Sequence, residues 1–451
     1  MEAAMMGRQV AQEALFYEFR LDDLVPAGHV LRRIDRVIDF GFVRAKLAAS
    51  YSHTGRPSID PELLLRMLLI GYLFGIRSER RLCEEVHLNL AYRWFCRLDL
   101  TGSVPDHSTF SKNRHGRFRE HDLHRLLFEE IVGRCAMAGL VVGREAAVDT
   151  STVEADASWE KKLAGSDAAD ELRARERVAR PVQEYLDALD AAAPPPPNEP
   201  PPVDPKKVSE TDPGAGWSTK HGVGRFAYAI NPLIDTETQL ILDVEATPAR
   251  LAAEVGATKV LVRRVQERWG VKPMHLAADK AYGTGLLLDW LFKRGVTPHI
   301  PLLDRSGQTR GLFARDAFAF DPEANHFRCP SGKTVPYKGM AHAAGVMIYR
   351  TKPTTCAGCA LKPQCTKAPT RTVTRLVHEE ARDKVRAASE TEAFARSRRL
   401  RKRIERLFGH LKRNLGLRRL KLRGLKGAAE EFVMAASAYN LQLLAKTLRP
   451  A

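Results

Sequence analysis

Apolar positions in the first third of the chain recur at helical spacing. Asp60-Pro61-Glu62 supplies an N-cap followed by proline at the first helical position, and the apolar run Leu63 to Ile76 continues from it. Ser78 is the expected cap of a second helix, with Leu82, Val86, Leu90 and Trp94 turned inward at every fourth residue. The stretch TGSVPDHSTF is turn chemistry, and Ser108 is the expected cap of a further helix through Phe118 and Leu127. Short helices in this arrangement suit either a plain bundle or a helix-turn-helix DNA reader.

From Val141 the period shortens to two. Glu145 to Val153 reads as a strand with Ala147, Asp149 and Ser151 on one face and Val148 on the other. Regularity then breaks from about residue 155 to 212, where a charged helical stretch near Asp167–Leu189 precedes AAAPPPPNEPPPVDP, a run that fits neither helix nor sheet. This is an insertion. Beyond it, Arg225–Ile234 and Gln239–Ala246 flank Asp235-Thr236-Glu237-Thr238 as a hairpin. His275–Asp279 is a short strand that enters a turn at Tyr282-Gly283, a helix through Leu288 and Leu291, and a strand over Thr297–Pro301. Strand, insertion, hairpin and strand–helix–strand together make a mixed α/β pattern. A cysteine-rich segment spans about residues 321–370, a basic helix runs from about Ser389 to Asn414, and more helix follows to Leu448. The expected division is a helical N-terminal domain over 1–140 and an α/β domain over 141–450 that carries the two insertions.

Composition narrows the function. The chain has 451 residues, 71 Lys+Arg against 54 Asp+Glu and a net charge of +17, which favours a polyanionic partner. Its longest apolar run, Met67 to Ile76, is about half of what a membrane span needs, and the first twenty residues do not read as a signal peptide. The expectation is a soluble, cytoplasmic protein without membrane contact. Seven cysteines, three of them scattered singly (Cys83, Cys96, Cys135), argue against a disulfide framework.

Three acids stand in settings that a surface carboxylate does not need. Asp149 sits in the strand Ala146-Ala147-Val148-Asp149-Thr150, and Asp279 ends His275-Leu276-Ala277-Ala278-Asp279. A carboxylate among small apolar neighbours is costly unless a cation or donors compensate it, although a turn-forming or capping Asp would serve as well. Glu405 is the one acid among fourteen Lys/Arg between Arg396 and Lys426. At about 100° per residue, Arg398, Arg401 and Lys412 share its helix face, beside an apolar stripe of Ile404, Leu407, Leu411 and Leu415. The glutamate either balances its neighbours by i,i+4 pairing or is a metal ligand among phosphate-binding side chains. Asp243 is the next acid to consider should one of these not serve. Two strand acids and a helix acid suit a hard cation such as Mg²⁺ or Mn²⁺.

The segments VDTSTVEADASWEKK and ADKAYG, with the R-x3-E-x6-K spacing of Arg401, Glu405 and Lys412, resemble the DDE transposases of bacterial insertion sequences. GRPSIDPELLLRMLLIGYLFGIRSERRLCEEV and VPDHSTFSKNR look like the helical N-terminal segment of that family. The resemblance implies a ribonuclease H-like catalytic core with flanking helices, in which Asp149, Asp279 and Glu405 hold two Mg²⁺ (or Mn²⁺) ions. It also implies DNA strand cleavage and strand transfer at the terminal inverted repeats and target DNA, and a homo-oligomer on DNA. A metal-dependent nuclease without strand transfer, and an inactive transposase-derived DNA-binding protein, are the alternatives. One departure is that the position three before Arg401, a tyrosine in the fuller family motif, is Arg398 here. Arg398, Arg401 and Lys412 are the candidate DNA-binding side chains, and Lys220 is another candidate or a solvated loop lysine. Cys329, Cys356, Cys359 and Cys365 supply four thiols, either the ligands of one structural Zn²⁺ or reduced loop cysteines, and His326 or His378 could replace one sulfur.

Overall fold

The computed structural model describes residues 18, 20–51, 58–192, 205–219, 222–250, 253–303, 311–341 and 345–448. They divide into two compact units, one within Met1–Leu123 and Leu444–Ala451, the other within His124–Leu443.

The first unit is helical: α1 Leu21–Leu24, α2 Val30–Val37, α3 Phe42–Leu47, α4 Pro61–Leu73, α5 Glu79–Leu88, α6 Leu90–Phe95 and α7 His107–Asn113. The Asp60 cap is as expected, its Oδ1 accepting from Glu62 N at 2.9 Å, and Ser78 Oγ accepts from Arg81 N at 3.4 Å. Two expectations need correction. The helix after Ser78 stops at Leu88 because the Asn89 side chain accepts from Ala91 N and Tyr92 N and starts a new helix. The inward set therefore changes: Tyr92 and Phe95 are buried, whereas Leu90 is 38% exposed. The later helix is capped by Asp106, which accepts from Ser108 N at 2.8 Å, so Ser108 lies inside the first turn, and it ends at Asn113 instead of running through Phe118 and Leu127.

The second unit begins in α8 (Leu123–Met137) and is built on a seven-stranded sheet. Its strands are β1 Glu145–Val148 and β2 Ser151–Glu154, then, after the insertion hairpin β3 Lys162–Ala164 and β4 Lys207–Ser209, β5 Gly216–Ser218, β6 Arg225–Asp235, β7 Ile241–Pro248, β8 His275–Ala277 and β9 Thr297–His299. The insertion holds α9 (Ala168–Arg173) and α10 (Arg180–Asp190), packed on a small core of Leu172, Val182 and Leu186. The expected β6–β7 hairpin is present. Buried Asp235 closes it, Oδ1 accepting from Glu237 N and Thr238 N and Oδ2 from Val142 N and Gly143 N.

The expected strand over Glu145–Val153 is interrupted. The partner of β1 and β2 is β6, with Val148 opposite Leu233 and Ser151 opposite Ile230, so Asp149 and Thr150 face Pro232 and Asn231 without a change of register. Proline has no N–H to give the ladder, and the pairing opens there. β1, β8 and β9 run parallel, with Ala147 opposite Ala277. α11 (Ala253–Trp269) and α12 (Gly285–Lys293) join these strands, which completes a mixed α/β layer.

A five-stranded antiparallel sheet follows: β10 Ala319–Asp321, β11 His326–Arg328, β12 Thr334–Ala341, β13 Val346–Arg350 and β14 Thr372–Leu376. The turns α13 (Pro353–Cys356) and α14 (Lys362–Cys365) sit between its last two strands, and α15 (Glu379–Ala388), α16 (Glu392–Arg413) and α17 (Gly424–Thr447) end the described chain. The apolar stripe on α16 docks as expected, with Ile404, Leu407 and Leu411 buried and Leu415 buried just beyond. No helix among the described residues is long and apolar enough to cross a membrane.

Candidate active site

Asp149 and Asp279 are brought together by strand register. Two residues beyond the Ala147–Ala277 pair, each parallel strand has just ended, and each chain turns at an aspartate. Adjacent strands lie about 4.8 Å apart, so the two chains leave the carboxyl ends of the sheet side by side, each through an aspartate turn. Local bonds fix both turns. Asp149 Oδ1 accepts from Thr150 N at 2.7 Å, and Asp279 Oδ1 accepts from Ala281 N at 2.8 Å, capping a 3₁₀ turn over Lys280–Tyr282. Tyr282 Oη lies 2.7 Å from Thr150 Oγ1, which donates to Asn231 Oδ1 at 2.5 Å. This chain of hydroxyls ties the turn after β8 to the break after β1. Burial raises the Tyr282 phenol well above its usual range, so it stays protonated as a donor.

Helix α16 lies over the same face. Ser397 reaches the amino end of β1, where its Oγ donates to Glu145 Oε2 at 2.8 Å and lies 2.7 Å from His299 Nδ1. One turn later Arg401 Nη1 meets Asp149 Oδ2 at 2.8 Å, while its Nη2 stands 3.6 Å from Glu405 Oε1. One guanidinium thus spans a carboxylate from the sheet and the carboxylate from the helix. The glutamate side chain is 61% exposed and the Asp149 side chain 17%.

The cationic neighbours divide. Arg398 is exposed one turn before Arg401, and Lys412 is half-buried two turns beyond Glu405. Arg396 binds Glu237 Oε1 at 2.8 Å, and Arg403 donates to the carbonyls of Thr236 and Glu237, so both grip the β6–β7 turn. Arg419 and Arg423 hold Asp156 at 3.3 and 3.0 Å. Lys220 lies outside the described residues. Asp243 is buried on β7 between Arg125, at 2.5 Å, and Arg264, which accounts for it as a structural ion-pair centre.

Under α16 lies a polar cluster apart from the acids and cations singled out in the sequence. Glu145, His275 and His299 offer ligand atoms within 4.8 Å of one another. The geometry speaks against a metal there. The two imidazoles are stacked, centroids 4.2 Å apart and planes 16° apart, so an ion about 2 Å from one nitrogen and in its ring plane would miss the plane of the other. The acceptors are also engaged: His275 Nδ1 lies 2.7 Å from Glu145 Oε1, and Ser397 takes the other oxygen. Burial, with the neighbouring His275, lowers His299 to about 4, so it is neutral near pH 7. The sequence carries one signal for the cluster: Glu145 and His275 each open a short strand four positions before a candidate aspartate.

Cys329, Cys356, Cys359 and Cys365 line one pocket beside the five-stranded sheet. Neither His326, on β11, nor His378, which pairs with Asp289 at 3.2 Å, is among its lining residues.

Two family models match the chain. A Transposase domain (DUF772) covers residues 19–116, and a Transposase DDE domain covers residues 328–445. The second includes Glu405, Arg401 and the four cysteines, whereas Asp149 and Asp279 lie outside both. No solved structure matches the chain. The two matches support a DDE-type transposase of the insertion-sequence type.

Proposed function

We propose that the chain cleaves DNA at the ends of an insertion sequence and joins the freed ends to a target, with Asp149, Asp279 and Glu405 as the ligands of two divalent ions. The observation that carries this reading is the pairing of register with one side chain: two aspartates end adjacent parallel strands, and Arg401 links Asp149 to the helix glutamate. Carboxyl ends of parallel strands are where open α/β sheets bind their ligands, which agrees with a ribonuclease H-like core.

The donor set fits Mg²⁺ or Mn²⁺, being all oxygen, and Arg401 already supplies a positive charge between two of its members. Asp149, Asp279 and Glu405 would hold such ions, and the chemistry supplied there would be activation of an attacking oxygen and stabilisation of a leaving one. The protein's own residues do the rest. Thr150, Asn231 and Tyr282 hold the two aspartate turns in place, and the Ser397 contacts fix the height of α16 and so of Glu405. Arg398, Arg401 and Lys412 face the phosphates, where a guanidinium can make two parallel hydrogen bonds. DNA is the substrate, and a homo-oligomer on paired ends is part of the proposal.

The test uses purified protein, its flanking genomic DNA and Mg²⁺. Wild type should cut and join, while Asp149→Asn should lose both and keep DNA binding. Cutting without joined products would indicate the nuclease reading. Undiminished cutting by Asp149→Asn would remove this aspartate from the site.

A further inference from the structure

The cysteine-rich sheet is small. Its buried core is Phe318, Phe327, Val335, Tyr349 and Val373, with Cys329 and Cys365 packed half-buried against it. Modules with so few buried side chains commonly need a metal or a crosslink to hold their loops.

Three turns bring thiols to one place. Cys329 opens the turn between β11 and β12, closed by Gly332 N to Cys329 O at 2.8 Å with Gly332 at φ +76°. Cys356-Ala-Gly-Cys359 makes a second turn, Gly358 at φ +70°, and Cys365 ends α14. Both glycines occupy the left-handed region that side chains disfavour, which keeps the turns tight. Ser331 Oγ bridges the first two, 3.1 Å from Cys329 Sγ and 3.7 Å from Cys359 Sγ. Arg371 fastens the third by donating to Cys365 O at 2.8 Å and Phe313 O at 2.8 Å. Lys333, Lys362 and Arg371 also line the pocket.

We propose that Cys329, Cys356, Cys359 and Cys365 bind one structural Zn²⁺ that closes the loops of this sheet. Four thiolates fill a tetrahedral site and leave no open position, so the ion has no part in the strand chemistry. No three of the sulfurs lie within 4.8 Å of one another, so the proposal requires the three turns to close around the ion.

The experiment is metal analysis of the full chain purified from zinc-containing medium without added metal. About one zinc per chain is expected, with all four thiols slow to react with a maleimide until a chelator is added. Cobalt substituted for zinc should give the visible bands of a tetrahedral thiolate site. Cys359→Ser should lower zinc content to a small fraction, and Cys135→Ser, at a buried cysteine elsewhere, should leave it unchanged. Should Cys359→Ser fail to fold, wild-type stoichiometry and thiol protection still decide. Wild type without zinc, iron with sulfide in its place, or zinc unaffected by Cys359→Ser would overturn the proposal. None of these readouts depends on strand cleavage, so they stand apart from the transposase reading.

Discussion

Arg401 does more than the phosphate contact its helical position suggests. It touches Asp149 and Glu405 at once, so it neutralises the carboxylates that the metal reading needs. A partly exposed ion pair of this kind contributes about 1 kcal/mol or less. Arg401→Ala should therefore tighten Mn²⁺ binding by up to about fivefold, measured by calorimetry or by the Mn²⁺ resonance signal, even as DNA affinity falls. Unchanged or weaker Mn²⁺ binding would mean that the guanidinium does not compete for the site. At this scale the sequence was informative about residue identity and poor about partners. The apolar surroundings of Asp149 and Asp279 and the isolation of Glu405 among cations were visible. Their link through Arg401 was not, because it spans 252 residues. Thr150 and Tyr282 were legible only as parts of motifs, without the bond between them.

At the scale of elements, α16 is seated by a buried polar latch as well as by its apolar stripe. Glu145, His275, His299 and Ser397 lie between helix and sheet, with Phe394 beside the His299 ring. Because His299 is held near 4 in the fold but is near 6.5 when unfolded, the unfolded chain binds the extra proton between those values. Its contribution to stability should be constant above about pH 6.5 and fall as the pH drops towards 4, by at most about 1.4 kcal/mol per pH unit. Thermal unfolding followed against pH should show a shallower acid slope for His299→Asn than for wild type. Equal slopes would count against a buried neutral imidazole. Helix starts were largely readable, since Asp60 and Ser78 cap as their types dictate. Asn89 and Asp106 cap with the same chemistry, but neither precedes a long apolar run that would single it out. The break after Val148 was hidden for another reason: it comes from Pro232, which faces Asp149 across the sheet and lies 83 positions along the chain.

For the whole molecule, the count of 71 Lys and Arg overstates the cationic surface offered to DNA. Arg396, Arg403, Arg419 and Arg423 are occupied with Glu237, the β6–β7 turn and Asp156. Arg398, Arg401 and Lys412 are the side chains of the Glu405 face that we assign to phosphate. Lys412→Ala should weaken binding to all sequences alike and reduce the magnitude of the log–log salt slope by about one. A sequence-dependent loss with an unchanged slope would contradict a phosphate contact. The α/β character and the order of segments were legible from periodicity, since each strand or helix is a local pattern. The small core of the insertion and the five-stranded cysteine sheet were not, because pairings such as Lys162 with Ser209 join distant residues.

Glu405→Gln offers the most direct measurement of the central claim, with strand cleavage and DNA affinity followed in the same preparation. The substitution keeps the shape of the side chain and removes one negative charge from a cationic face. Mg²⁺-dependent cleavage should be lost while DNA affinity holds or rises. Cleavage at the wild-type rate would contradict that claim, leaving Glu405 as a solvated partner of Arg401 and the two aspartates without their third ligand.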